Sequence, residues 1–391
     1  MSKWETVRLG DVCQFINGDR GKNYPSSTDF VDTGIPFVNA GHLNDEQISL
    51  ENMNYITEDK YESLGSGKMQ RGDILYCLRG SLGKHAIVNI EKGAIASSLV
   101  ILRPKNIDGR YLLQLLKTNL IHKQQMVANN GSSQPNLSAT SVKSYNIPLP
   151  PLETQQKIAD VLDRAGALIE KRKAQTEKLD LLIKSQFIEM FGDPVTNPKG
   201  WAIKSLDSIC DGIGDGLHGT PNYQTDGEIS FINGNNLVDG EIIITPATKT
   251  VGIIEYEKHY INISNNAILV SINGTLGKLA HYNGEKVVLG KSACYCNLKP
   301  PINKKFIYGL MKSDGFQRFL ENSSTKSTIK NVGLKAMREF QIIQPPEKLQ
   351  LEFLAFVERS ETQKSQLQQS LEKLELNYKS LMQKCFRGDL F

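Results

Sequence analysis

The sequence predicts an α+β chain made by duplication: two similar mixed α/β globules, separated by a long antiparallel two-helix coiled coil about a pseudo-twofold axis. Three observations predict it. Two stretches of more than 40 residues, 150–194 and 345–391, each open on a Pro-Pro pair and then carry apolar residues at helical spacing. Short β-type runs punctuated by turn pairs fill the segments before them. The whole globule-then-helix pattern occurs twice, at an offset of about 195 residues.

Taken in order, residues 1–150 form the first globule. Its β-type runs include Asp73–Leu78, Ala86–Ile90 and Leu99–Leu102, and a helix is expected over about Gly109–Ala128. Residues 151–194 form the first spacer helix. Pro150-Pro151 block its start and Gly192-Asp193-Pro194 end it. Its apolar stripe is Ile158, Val161, Ala165, Leu168, Leu179, Leu182, Ile183, Phe187 and Met190, with a polar middle over 170–178. About 40 residues at about 1.5 Å each give a rod of roughly 60 Å, which needs a partner along its length.

Residues 195–345 form the second globule, with runs Glu241–Thr245, Ala267–Ser271 and Lys286–Leu289 and a helix over about Lys304–Glu321. Asp239-Gly240, Asn273-Gly274 and Asn283-Gly284 read as turns. Residues 346–391 form the second spacer helix, its stripe running Leu351, Leu354, Val357, Leu367, Leu371, Leu374, Tyr378, Leu381 and Cys385. A parallel pairing of the rods would need a return loop of roughly 60 Å, and no residues are left over to make one. An antiparallel pair is therefore expected.

Matching points fix the duplication. Trp4 answers Trp201, Gly34–Asn39 answers Glu228–Asn233, Gly80-Ser-Leu-Gly-Lys84 answers Gly274-Thr-Leu-Gly-Lys278, and Ile147–Pro151 answers Gln341–Pro346. The polar loops match poorly. Gly18–Lys22 faces Gly214–His218, and Gly131–Asn136 faces Ser324–Asn331. Two similar scaffolds with unlike polar loops suggest two different recognition tasks; ordinary solvated loops are the alternative reading.

Composition narrows the class. The 391 residues are 39% hydrophobic and 23% charged, as in globular proteins with more than one domain. No apolar run is long enough for a membrane span, and Met1–Gly10 lacks the apolar core of a secretory signal. Six scattered cysteines, Cys294 and Cys296 among them, read as buried free thiols and fit a reducing cytoplasm. No zinc pattern is present, so no metal site is expected. A net charge of +4 permits a nucleic-acid partner without requiring one.

Catalytic motifs are missing. Gly65-Ser-Gly-Lys68 resembles the end of a phosphate-binding loop, but Glu62 and Met69 stand where glycine and Ser or Thr are needed. Gly212–Gly216 lacks the spacing of a dinucleotide loop. None of the Pro-Pro pairs follows Asn or Asp as in an amino-methyltransferase, and no Pro-Asp dipeptide supplies the common nuclease pattern.

The repeated IPLPPLETQQKIADVLD, FGDP, QPPEKLQLEFLAFV and EKLELNYKSLMQKCFRGDLF resemble the specificity (S) subunits of type I restriction–modification systems, the HsdS family. The resemblance spans essentially the whole chain, departing at Ile343-Gln344 where the first copy has Ile147-Pro148-Leu149. It implies that each globule is a target recognition domain reading one half of a split double-stranded DNA site. It also implies that the helices set the spacing and dock two methyltransferase (M) subunits, which restriction (R) subunits join. The chain itself would then bind no cofactor. S-adenosylmethionine would belong to the M subunit, ATP and Mg to the R subunit, and the complex to the cytoplasm. A non-catalytic coiled-coil scaffold whose globules bind proteins is the alternative; a self-sufficient methyltransferase or nuclease is a third reading, against which the absent motifs count.

Candidate DNA contacts in the first globule are Asp19, Arg20 and Lys22; Asn39 and His42; Arg79, Ser81 and Lys84; and Ser132, Ser133 and Gln134. In the second they are Asp215 and His218; Asn233, Asn235 and Asn236; Asn273, Thr275 and Lys278; and Lys326, Ser327 and Lys330. Arg and Lys suit guanine or phosphate, and Asn and Gln suit adenine. The Gly-Ser/Thr-Leu-Gly-Lys repeat is the best phosphate candidate, with a plain hairpin turn as its alternative.

Overall fold

A computed structural model describes residues 3–44, 46–129 and 136–391. The chain divides into two compact units, Met1–Arg172 with Ser370–Phe391, and Lys173–Gln369. Each unit holds one globular head and a portion of both long helices.

The first head contains a four-stranded antiparallel sheet in the order His85–Ile87, Ile74–Cys77, Leu99–Pro104, Cys13–Asn17. Ile101 stands opposite both Leu75 and Ile16, so the continuous apolar runs read from the sequence become strands buried on both faces. A second, five-stranded sheet runs Phe30–Val31, Asn54–Ile56, Ile35–Val38, Lys92–Ile95, Lys68–Gln70, with Ile35–Val38 and Lys92–Ile95 parallel. The second head repeats this order. Its antiparallel sheet is Leu279–His281, Ala267–Ser271, Ala293–Leu298, Cys210–Asp215. Its mixed sheet is Tyr223–Gln224, Thr250–Val251, Ile229–Ile232, Val287–Leu289, the last pair parallel, one strand shorter because Lys68–Gln70 has no counterpart among the described residues. The duplication is thus one of strand order as well as sequence.

Local chemistry explains several departures from the sequence reading. The helix expected over Gly109–Ala128 is two helices, Gly109–Leu116 and Asn119–Ala128, because the Thr118 hydroxyl accepts from the Ile121 amide and starts a new helix. Ser313 does the same between Lys304–Met311 and Asp314–Ser323. The strand expected to Thr245 ends at Ile242. Asp239 and Gly240, at φ +48° and +93°, make the two-residue turn that joins Leu237–Val238 to Glu241–Ile242.

The long helices span Leu152–Phe191 and Glu347–Arg387. Their covered stripes differ from the sequence reading. On the first helix the covered positions are Ile158, Leu162, Ala165, Ile169, Arg172, Thr176, Leu179 and Ile183. Leu168 and Leu182, assigned to the stripe, are 54% and 48% exposed; Ile169 replaces Leu168 in it, and Leu162 is fully buried beside a half-buried Val161. On the second helix the heptad positions are Gln350, Phe353, Val357, Ser360, Lys364, Leu367, Leu371, Leu374, Tyr378, Leu381 and Cys385; Leu354 is buried beside them as expected, while Leu351 is 57% exposed. The steps alternate three and four, a repeat of seven. Adjacent apolar pairs such as Val161-Leu162 satisfy a loose helical period equally; only the strict heptad chooses between them. The middle of each stripe is polar, and within the second unit Lys364 reaches Asp180 at 2.7 and 2.8 Å.

Each helix start is clasped in the same way. The Gln155 amide donates to the Pro150 carbonyl at 2.8 Å, and Gln350 donates to Pro345 at 2.9 Å. Gln155 Oε1 also accepts from the Asp108 amide at 2.8 Å. A glutamine five residues after the first proline therefore satisfies a carbonyl that the helix cannot use.

The junctions between head and helices differ. In the first unit Ile158, Ala159 and Leu162 share a core with Tyr111, Leu112, Cys385 and Phe386, the Tyr111 and Phe386 rings lying 5.3 Å apart. Beside it Gln114, only 4% exposed, donates to Asp163 at 2.6 Å and accepts from the Tyr378 hydroxyl at 2.7 Å. In the second unit Phe187, Phe191, Phe306 and Phe353 form an aromatic cluster with ring centroids 5.0–5.8 Å apart. Gly309, which occupies the position of Gln114 in the repeat, lies against it. A Cβ there would meet Phe353 at 3.1 Å and Phe187 at 3.2 Å, so the rings pack directly on backbone. All six cysteines are buried and free. Among the described residues no helix is long and apolar enough to cross a membrane.

Candidate nucleic-acid interface

In the first head four strand ends deliver loops to one edge. Gly18–Lys22 follows Cys13–Asn17, residues 39–42 follow Ile35–Val38, residues 79–84 follow Ile74–Cys77, and residues 96–98 follow Lys92–Ile95. They are tied to one another. The Ala96 amide donates to Val38 and the Leu78 amide to Ser98, both at 2.8 Å. Arg20 Nη2 reaches the Ser97 carbonyl at 3.4 Å, and Lys84 Nζ the Ala40 carbonyl at 3.5 Å. Asn136 joins the edge by bridging to Arg79.

The second head builds the same edge. The Leu217 amide donates to Leu289 at 2.7 Å, Gly290 to Ile232 at 2.8 Å, and Gly274 to Lys330 at 2.9 Å. The Ser292 hydroxyl donates to Asn233 Oδ1 at 3.0 Å and accepts from the Gly234 amide at 2.9 Å. Asn273 Nδ2 donates to Asn331 Oδ1 at 3.2 Å.

The structure therefore gathers the described candidate residues of each head onto one edge, in two roles. Arg20, Lys22, Arg79, Ser81 and Lys84 point to solvent in the first head, as do His218, Asn235, Thr275, Lys326 and Lys330 in the second. Others hold the loops. Asp19 accepts from the Gly21 and Gly65 amides, both at 2.7 Å, and those two amides hold its carboxyl below the usual range. Asn39 Oδ1 accepts from the Gly41 amide at 2.8 Å. His42 is 7% exposed; its Nδ1 accepts from the Asn39 amide and its Nε2 faces the Asn52 carbonyl. Asn236 accepts from the Asn233 amide and donates to Ile243. Asp215 pairs with His218 at 2.7 Å, and the Ser327 hydroxyl donates to the Ile329 carbonyl at 2.6 Å. Lys278 is half-buried. Ser132, Ser133 and Gln134 lie outside the described residues.

The Gly-Ser/Thr-Leu-Gly-Lys segment connects antiparallel strands in both heads, and its glycines, Gly80, Gly83, Gly274 and Gly277, sit at φ +75° to +79°. The amides of Leu82, Gly83 and Lys84 are bonded internally. What the first turn offers an anion is thus the Ser81 hydroxyl and the Lys84 ammonium rather than a cradle of free amides. Beside it lies a groove of about 590 Å³ lined by Lys84, Lys117, His122 and Gln125. A groove of about 480 Å³ lies in the matching place in the second head, against Thr275, Gln317, Glu321 and Lys330. A larger groove of about 880 Å³ lies away from this edge, against Trp4, Asp108, Pro150 and Gln155.

Sequence reasoning missed Ser97, Asn136, Ser292 and Asn331, which close the two edges. The matching serines Ser98 and Ser292, one repeat apart, were the available signal. Among the described residues no group of His, Cys, Asp or Glu is arranged to hold a metal ion.

Comparison with known proteins agrees with the duplicated architecture. The family model of the type I restriction modification DNA specificity domain matches residues 1–180 and again 198–376. The type I restriction enzyme StySPI specificity subunit of Salmonella potsdam is 22% identical over 425 aligned positions, 99% of this chain and 89% of that one. The MjaX specificity subunit of Methanocaldococcus jannaschii is 29% identical over 216 positions, 53% of this chain, and the alignment spans about half (49%) of that relative. A solved chain described for complex assembly and conformational transition of a type I R-M system shares the fold, with a TM-score of 0.62 at 18% identity over 99% of this chain and 98% of that one. The chain belongs to the type I restriction modification DNA specificity family.

Proposed function

We propose that this chain is the DNA-reading subunit of a type I restriction–modification complex, each head reading one half of a bipartite target. The observation that carries this is the duplicated edge. One loop scaffold occurs twice, closed by the same backbone bonds, and presents different side chains each time. In the first head these are Arg20, Arg79, Ser81 and Lys84; in the second, Asn235, Thr275, Lys326 and Lys330. Backbone-held loops with exchangeable Arg, Lys, Asn and Thr tips suit phosphate positioning and base-edge reading. Two unlike sets imply two unlike half-sites.

The two long helices pair as an antiparallel coiled coil and set the spacing between half-sites. The strict heptad supports this, since such a stripe stays straight only when wound against a partner. So does the packing inside each unit, where the start of one helix and the end of the other share a core. The helices also dock two methyltransferase subunits, which restriction subunits join. Chemistry resides in those partners, with S-adenosylmethionine in the first and ATP with Mg in the second, and the assembly works in the cytoplasm.

The experiment is to map methylated positions across the genome of a host carrying this system, before and after residues 1–150 are replaced by the corresponding head of a relative. One half of the methylated motif changes and the other half and the spacer stay fixed. A change in both halves, or no bipartite motif at all, refutes the reading. Inserting four residues near Gln175, about 6 Å of helix, alters the spacer or abolishes binding; an unchanged spacer counts against the ruler.

A further inference from the structure

The recognition edge of the second head carries an exposed apolar side chain, Ile329, among its polar tips. The segment 325–331 closes on itself. The Thr325 amide donates to the Asn331 carbonyl at 3.0 Å, and the Asn331 amide donates to the Thr325 hydroxyl at 3.2 Å. The Thr325 and Ser327 hydroxyls lie 2.9 Å apart, and Ser327 closes the tip on Ile329. The Gly274 amide pins the loop from outside through the Lys330 carbonyl. At the tip Ile329 is 65% exposed, with Lys326 and Lys330 exposed on either side of it. It also lines the groove beside Thr275.

A lone exposed isoleucine is ordinary on a protein surface. This one is held in place by its own loop, flanked by two cations, on the edge assigned to DNA. The ordering cost of a contact is therefore met in the free protein. The lysines suit the phosphates on either side of a groove. Between those phosphates, the apolar group that duplex DNA displays in its major groove is the 5-methyl of thymine.

We propose that Ile329 reads a thymine in the half-site of the second head through that methyl group, with Lys326 and Lys330 on the neighbouring phosphates. This rests on the DNA-reading function proposed above. It names a specificity-determining side chain that neither charge nor hydrogen-bonding capacity would have selected.

The test uses the full-length chain and a random-sequence duplex library, selected in parallel with the unaltered protein, Ile329→Ala and Ile329→Val. The unaltered protein and Ile329→Val enrich the same bipartite motif. Ile329→Ala loses preference at a single thymine in one half-site and keeps the other half unchanged. In the selected duplex, replacing that thymine by deoxyuridine, which lacks the methyl, weakens binding of the unaltered protein about four-fold and leaves Ile329→Ala unaffected. An unaltered motif for Ile329→Ala overturns the proposal, as does indifference of the unaltered protein to deoxyuridine at every thymine. A library that yields no enriched sequence for the unaltered protein overturns the DNA-reading function instead.

Discussion

Tyr378, Gln114 and Asp163 offer a measurable account of how the second long helix is tied to the first head. Tyr378→Phe removes a hydroxyl and nothing else. It leaves Gln114 Oε1, in a side chain that is 4% exposed, without its 2.7 Å donor. An acceptor stranded in such a place costs about 1–3 kcal/mol. Gln114→Leu strands the Tyr378 hydroxyl in turn and takes one donor from Asp163, whose side chain is 38% exposed to solvent and still faces Arg110 at 3.5 Å. The double variant strands neither member of the Tyr378–Gln114 pair. It should cost less than the two single changes added together, by about 1 kcal/mol or more. The protein has two tryptophans, Trp4 in the first unit and Trp201 in the second. Urea unfolding followed by Trp4 fluorescence in a Trp201→Phe background isolates the transition of interest. For a unit of this size each kcal/mol displaces the midpoint of thermal unfolding by about 2–4 °C. Strict additivity, or a shift seen only through Trp201 in the converse background, would refute the reasoning.

Three further outcomes follow from the geometry. Burial pushes the His281 imidazole down to about 4, with Lys304 and Lys305 adding to the effect, and its ring lies 4.3 Å from that of Tyr308. An unfolded histidine takes its proton near pH 6.5, so the unfolded chain binds more protons than the folded one between there and about pH 4. The second unit should lose about 3 kcal/mol across that window on acidification and no more from this group below it; His281→Phe, which keeps a ring against Tyr308, should flatten the slope, and equal slopes in both proteins would disprove it. Gln155→Ala should destabilise the first unit by about 1–3 kcal/mol, and more than Gln350→Ala destabilises the second, because only Gln155 also serves the Asp108 amide; denaturant midpoints read through each tryptophan decide the order. Lys84→Ala should weaken DNA binding about equally for all sequences and reduce the slope of log K against log salt by about 0.9; a changed sequence preference with an unchanged slope would move Lys84 from phosphate to base.

The duplication was legible because it is written in residues that backbone geometry constrains. The proline pairs, the left-handed glycines and the tryptophans recur at offsets of 194 to 197 residues. The strand runs were legible because strands buried on both faces are continuously apolar. The covered stripe of the first long helix was read one position off at Leu168, since neighbouring apolar residues satisfy helical spacing equally. The helix breaks at Thr118 and Ser313 were missed although both residue types favour helix starts. The division of labour along the loops was not legible. Asn39, His42 and Asn236 resemble Asn235 and Lys84 in a sequence, yet the first three are spent on holding turns. That difference depends on which strand ends the fold brings together, and no local pattern records it.

The core of the first unit has a consequence for how the protein is made. Its layer against Tyr111 needs Cys385 and Phe386, supplied by a segment that follows the whole of the second unit in sequence. The second unit is contiguous and can close as soon as Gln369 has left the ribosome. One layer of the first head, the one against Tyr111, stays open to water until Cys385 and Phe386 have emerged, while the head's two other clusters are built from its own residues. Premature termination after Gln369 would release a contiguous second unit tethered to a first head that lacks this layer.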